Sequence, residues 1–73
     1  MLVRKVTEIE ATSPLGWGEA LEEGLRRANK TLSGINEIEI RSKRIKIKNG
    51  RIVEYILRLN IIFTIADDYP LHL

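Results

Sequence analysis

Two carboxylates, Glu37 and Glu39, stand two residues apart at the start of a run that reads "INEIEIRSKRIKIK" from Ile35 to Lys48. At strand spacing both point to one face. Hard cations take carboxylate oxygens, so the pair offers calcium or magnesium a foothold. The plainer reading is a solvated or ion-paired face. The sign of the charge then reverses. Arg41, Lys43, Arg44, Lys46, Lys48 and Arg51 are six of the twelve basic residues in the chain. Such a stretch suits a phosphate or a nucleic-acid backbone, or else a solvated strand and hairpin tip.

Acid–base and nucleophilic chemistry has little to draw on. The chain has no cysteine and a single histidine, His72, beside its last residue. That excludes disulfides and the common His/Cys zinc sites. The "GWG" at Gly16 to Gly18 is not a phosphate-binding loop. Ser13, followed by Pro14, reads as a helix N-cap rather than a nucleophile. Trp17, the only tryptophan, reads as a packing residue at the head of an apolar stripe. Asp67-Asp68 is a weaker cation candidate and a better solubilising strand end. No enzyme is implied.

The elements that must position these residues follow from periodicity. Residues 2 to about 10, "LVRKVTEIE", read as a strand. A helix is predicted from Pro14 to about Leu32, with Trp17, Leu21, Leu25, Ala28 and Leu32 on one face. Glu22–Arg26 and Glu23–Arg27 support it as i,i+4 pairs, and Ser33-Gly34 ends it. In the second strand Ile38 and Ile40 share one phase, Ile45 and Ile47 the other. A strand changes phase only through an extra residue or a twist, so a bulge or sharp bend is predicted between Ser42 and Arg44. Asn49-Gly50 predicts a type I′ hairpin turn. In the third strand every odd position from Val53 to Ile65 is apolar, with Ile52, Ile56 and Ile62 on the other face. Its fifteen residues would span about 50 Å.

The order is β-α-β-β. The expected class is α+β, a three-stranded antiparallel sheet curled around one helix. Residues 1–66 form the expected domain and residues 67–73 a tail. A chain of 73 residues buries only about 60 % of its unfolded surface. With disulfides and zinc excluded, oligomerisation is the remaining source of stability. The face bearing Ile52, Ile56 and Ile62 has no cover within the chain, so copies of the same chain are expected to shelter it. Twelve basic and ten acidic residues give a net charge of +2, too balanced for a generic nucleic-acid or membrane-surface binder. No signal peptide is visible, and no apolar run approaches the roughly 20 residues of a membrane helix. The expectation is a soluble, cytoplasmic protein.

Four pieces occur in order: "KVTEI…TS" from Lys5 to Ser13, "RANKTL" from Arg27 to Leu32, "R…NGRIVEY" from Arg44 to Tyr55, and "L.L.I.F" from Leu57 to Phe63. In these the chain resembles the dodecins over about residues 2 to 66. The resemblance implies a hollow homo-dodecameric shell with helices outside and sheets lining the interior. It implies non-enzymatic binding or storage of a small ligand, a flavin such as FMN or riboflavin, stacked in pairs near each two-fold axis. The ring-stacking tryptophan of the family falls at Glu37 and its ring-edge glutamine at Ile56. A basic residue that helps to hold the phosphate falls at Thr64, and the second-strand arginine at Arg44. Only Arg44 keeps the residue type of the family.

The departures have physical weight. Aromatic stacking contributes roughly 1–3 kcal/mol per base in comparable nucleic-acid sites. A carboxylate has no π-face, and an isoleucine side chain makes no hydrogen bond. Two copies of Glu37 facing each other across a two-fold axis would repel unless a cation or a proton lay between them. The substitutions argue against flavin stacking in the family manner. Two other readings stay open. One is a ligand-free structural oligomer with cations held at symmetry axes by Glu37, with Glu39 beside it. The other is a weak nucleic-acid binder that uses strand 41–51, whose many copies would multiply weak contacts.

Overall fold

The computed structural model describes residues 3–65. Asp67, Asp68, His72 and the expected tail lie outside the described residues. Strand β1 runs Val3–Ser13, helix α1 Trp17–Thr31, strand β2 Ile35–Lys48 and strand β3 Arg51–Ile65. The three strands form one antiparallel sheet in the order β1-β3-β2. The strand that comes last in sequence therefore lies in the middle. The expected β-α-β-β architecture is present, with α1 packed on β1 and β3.

The start of the helix differs from the sequence expectation. β1 continues through Ala11 and Ser13, which are buried and pair with Leu57 and Tyr55. Ser13 Oγ accepts a hydrogen bond from the Leu15 amide at 3.0 Å, so it closes a turn rather than capping the helix. Gly16 takes the N-cap position with no side-chain cap, and its carbonyl accepts the first helical bond from Ala20 at 3.1 Å. Pro14 thus lies in the turn ahead of the helix. Small residues at Ala11, Thr12 and Ser13 hid the end of the strand, because they lack the bulk that marks strand periodicity.

The contact face of the helix is also narrower than the predicted stripe. Ala20, Gly24 and Ala28 are buried, with Trp17 and Leu21 half-buried beside them, while Leu25 is exposed. A Cβ on Gly24 would lie 3.0 Å from Ala11 Cβ and 3.2 Å from Leu59 Cδ1. The missing side chain lets α1 settle directly onto β1 and β3. Below it, Leu57, Leu59 and Ile61 are the large side chains that are fully buried.

The phase change in β2 is resolved by an irregularity between Ile40 and Ser42, two residues ahead of the predicted place. Ile38 pairs with Ile61 and Ile40 with Leu59; beyond the irregularity Lys43 pairs with Leu57 and Ile45 with Tyr55. One extra residue thus brings Ile45 to the same helix side as Ile38 and Ile40, and a further shift follows between Lys46 and Ile47, where Ile47 pairs with Ile52. At the hairpin both Asn49 (φ 52) and Gly50 (φ 74) adopt the left-handed conformation that a type I′ turn requires. The described chain is long and thin, 61 × 19 × 14 Å, because β2 and β3 run on past the helix.

Candidate functional site

Pairing and alternation define the sheet face turned away from the helix. Across β1, β3 and β2 its rows read Val6, Ile62, Glu37; then Glu8, Asn60, Glu39; then Glu10, Arg58, Ser42; then Thr12, Ile56, Arg44. The expected apolar face is instead mostly charged. Ile56 and Ile62 are half-buried among polar neighbours. The uncovered apolar residues lie chiefly on the helix side, where Ile40, Ile45 and Val53 are exposed. The sequence reading missed this because it weighed β3 alone and not the charges that β1 and β2 set on either side of it.

Those charges form a lattice across the central strand. Arg44 donates from its guanidinium to Glu10, reaching diagonally over β3. Arg58 lies 3.6 Å from Glu8, and Arg4 lies 3.6 Å from Glu37. Asn60 Nδ2 donates to Glu39 at 3.0 Å, and Arg41 approaches the same carboxylate at 3.6 Å. All these groups are about half exposed, so each pair contributes little alone. The signal was present at Arg4, Glu8 and Glu10, whose even spacing puts three charges on one face of β1.

The four family-matched positions do not converge within one protomer. Arg44 and Ile56 are cross-strand neighbours. Glu37 pairs instead with Ile62, six residues along β3 from Ile56, or about 20 Å. Thr64 lies farther still, where its Oγ1 accepts a hydrogen bond from Asn36 at 2.7 Å. A ligand touching all four would need residues from more than one copy. Glu37 and Glu39 share a face as predicted, and each already has a cationic or amide partner. Among the described residues no three His, Cys, Asp or Glu side chains gather to hold a metal ion.

The basic run is divided in the same way. Arg41 and Arg44 face carboxylates, and Lys43 lies 5.7 Å from the Trp17 ring centroid on the helix side. Trp17 in turn meets Tyr55 edge to face at 5.1 Å. This confirms Trp17 as a packing residue, tying the start of α1 to the two long strands. Lys46, Lys48 and Arg51 remain at the hairpin end with no ion-pair partner within 4 Å among the described residues.

A groove of about 510 Å³ opens between β1 and α1, lined by Ile9, Ala11, Gly24, Arg27, Ala28 and Leu32 among others. On its rim Glu23 accepts hydrogen bonds from Arg26 and Arg27 at 2.6 and 3.0 Å. These bonds, Arg26 first, hold the Glu23 carboxyl down at about 2. The expected Glu23–Arg27 pair is present, whereas Arg26 turns to Glu23 rather than to Glu22. Among the described residues no helix is long and apolar enough to cross a membrane.

Comparison with known proteins agrees with this architecture. The dodecin family model matches residues 3–66. A variant of the Thermus thermophilus dodecin is 30 % identical, with a TM-score of 0.86 over 92 % of this chain and 98 % of that one. The dodecin of Streptomyces coelicolor is 27 % identical, with a TM-score of 0.85 over 92 % and 96 % of the two chains. The calcium dodecin of Mycobacterium tuberculosis, described with a novel calcium-binding site, is 28 % identical, with a TM-score of 0.76 over 94 % and 99 %. A search of the curated proteins gave no match. With its whole described length matched by the family model and its backbone following these structures, the chain belongs to the dodecin family.

Proposed function

We propose that this protein is a non-enzymatic, homo-dodecameric shell that binds or stores a small ligand, and that it does not stack flavin in the family manner. One observation carries the reading: among the described residues the open sheet face has no aromatic side chain, with Glu37 and Ile56 where the family resemblance expects a tryptophan and a glutamine. Tyr55 and Phe63 point to the helix side with the core residues of β3, and Trp17 sits on the helix. A ligand on this face would meet ion pairs and amides, not π-surfaces. Assembly is supported by the thin core of the protomer and by ten large apolar residues that stay exposed, Leu15 at 76 % and Val6 at 59 % foremost. The absence of cysteine suits a reducing compartment such as the cytoplasm.

Light scattering of the purified protein with in-line absorbance tests both parts. The expected result is a twelve-subunit mass without a flavin spectrum, and riboflavin fluorescence that the protein does not quench at micromolar concentration. A yellow protein or strong quenching would restore the flavin reading.

A second reading, cation binding through Glu37 and Glu39, is favoured by the similarity to the mycobacterial calcium dodecin. The partners already held by both carboxylates weigh against it. Calorimetry with calcium and magnesium separates the two, since heat of binding that disappears in Glu37→Gln would support the cation reading.

A further inference from the structure

Charge is not compensated evenly along the sheet. Arg4, Arg41, Arg44 and Arg58 each face a carboxylate, on Glu37, Glu39, Glu10 and Glu8 in turn. The hairpin end breaks this pattern. Lys46, Lys48 and Arg51 are exposed there, and none has an ion-pair partner within 4 Å among the described residues. Glu54 is the only acidic residue from Lys43 to Ile65. It stands opposite Lys46 in register, half-buried, and does not come within 4 Å of it.

Register sets the three cations on one face. Lys46 pairs with Glu54 and Ile47 with Ile52, so the extra residue of this irregularity is Val53, on β3. Strand β2 therefore alternates without interruption from Arg44 to Lys48, which keeps Lys46 and Lys48 on the open face with Arg44. Arg51 pairs with Lys48 and shares its side. Lys46 and Lys48 are spaced about 7 Å along the strand, and Arg51 lies across from Lys48 at about 5 Å. A depression of about 590 Å³ lies beside them, lined by Lys46, Ile47, Lys48, Val53 and Glu54. Like charges held this close repel, and an anion between them relieves the repulsion. The patch is short. The next residue along β2 on this face is Arg44, already engaged by Glu10, so the free charge ends there and forms no track for a long polymer.

We propose that the hairpin end of the open face binds a compact polyanion carrying two or more phosphates, the chemistry shared by inorganic tripolyphosphate and the phosphate end of a nucleoside triphosphate. The proposal deepens the ligand-binding reading above, since it names a ligand class for the same face, and rests on it. The lysines supply point charges for the phosphate oxygens, and Arg51 adds a planar fork of donors. No aromatic plane is required, which suits a face that has none among the described residues.

Calorimetry on the full chain at low salt, with tripolyphosphate and adenosine triphosphate as probes, tests it. Tripolyphosphate should bind the wild type, and Lys46→Gln with Lys48→Gln and Arg51→Gln should weaken it at least tenfold. Lys5→Gln with Lys30→Gln, which removes charge elsewhere, should leave it unchanged. If the triple variant fails to fold, as read by Trp17 fluorescence, Lys46→Gln and Lys48→Gln singly should each weaken binding severalfold. Equal affinity for the two probes assigns the site to the phosphate chain, and tighter binding of the triphosphate nucleotide assigns it to a nucleotide; either supports the proposal. No heat with either probe, or equal loss in the Lys5 and Lys30 variant, overturns it. A single-stranded oligonucleotide that binds tenfold more tightly than both overturns the compact ligand in favour of nucleic acid. Light scattering in the same buffer keeps the two readings apart: a twelve-subunit mass without anion binding removes the site alone, and a monomeric wild type removes the shell.

Discussion

Arg44 and Glu10, 34 residues apart in sequence and on the two outer strands, are joined by a hydrogen-bonded ion pair that passes over the central strand. Arg44 is the one position that keeps the residue type expected of a family ligand site, and here its guanidinium is already engaged. Glu10→Gln should release it. The pair is about half exposed, so the variant should lose less than about 1 kcal/mol in urea unfolding. Binding of phosphate or FMN to the freed guanidinium should rise, read by calorimetry at low salt. Equal anion binding by both proteins would show that Glu10 does not occlude Arg44.

The proposed absence of flavin stacking, with Glu37 and Ile56 on the open face, can be tested by reversal. Glu37→Trp with Ile56→Gln places an aromatic plane and a hydrogen-bonding amide on the open face. The double variant should quench riboflavin fluorescence at concentrations where the wild type does not. A single Ile56→Gln should quench little, because stacking contributes roughly 1–3 kcal/mol per ring face and the amide far less. Failure of the double variant to bind, in an assembly of normal mass, would mean that more than these two side chains separates this face from a flavin site.

Two glycines of α1 should respond to alanine in opposite directions. Gly18 has open space where a Cβ would go, whereas Gly24 is crowded by Ala11 and Leu59. Alanine within a helix gains about 0.5–1 kcal/mol over glycine. Gly18→Ala should therefore stabilise the protein by about that amount. Gly24→Ala receives the same gain but meets an overpacking cost of about 1–3 kcal/mol, for a net loss of up to about 2.5 kcal/mol. Thermal unfolding of the two variants side by side decides the matter, and equal stabilisation by both would show that α1 can lift away from β1 at little cost.

The pH dependence should carry the mark of Glu23. Its folded pKa is lowered from 4.5 to about 2 by hydrogen bonds from Arg26 and Arg27. A depressed folded pKa means that the unfolded chain takes up the proton first. The stabilisation is thus present above about pH 4.5 and is lost as the pH falls toward 2. The unfolding midpoint of Glu23→Gln should vary less across that window than that of the wild type. Added salt should narrow the difference, because the group is partly exposed. Parallel acid profiles would exclude this carboxylate as a contributor.

Much of the fold was readable from residues in order. Asn49-Gly50 named its turn, the odd positions of β3 named the core strand, and the mismatched isoleucines of β2 demanded an irregularity that lies two residues ahead of where they placed it. What stayed hidden was pairwise. Ser13 looks like a cap until β1 is seen to need it as its last buried residue. Glu10 and Arg44 carry no sign of each other, because their meeting depends on β3 entering between β1 and β2. The charged character of the open face follows from the same insertion. A single strand reports its own alternation, and only the register reports what stands on either side.

The position of β3 has a consequence for how the chain acquires its shape. The outer strands share no backbone pairing; each pairs only with residues 51–65. During synthesis the first strand and the helix emerge long before the segment that completes them. A nascent chain that ends at the hairpin turn has no sheet at all. Val3 must wait for Ile65, the most distant pairing in the ladder, so folding is set by loop closure over nearly the whole length and should be slow for so small a protein.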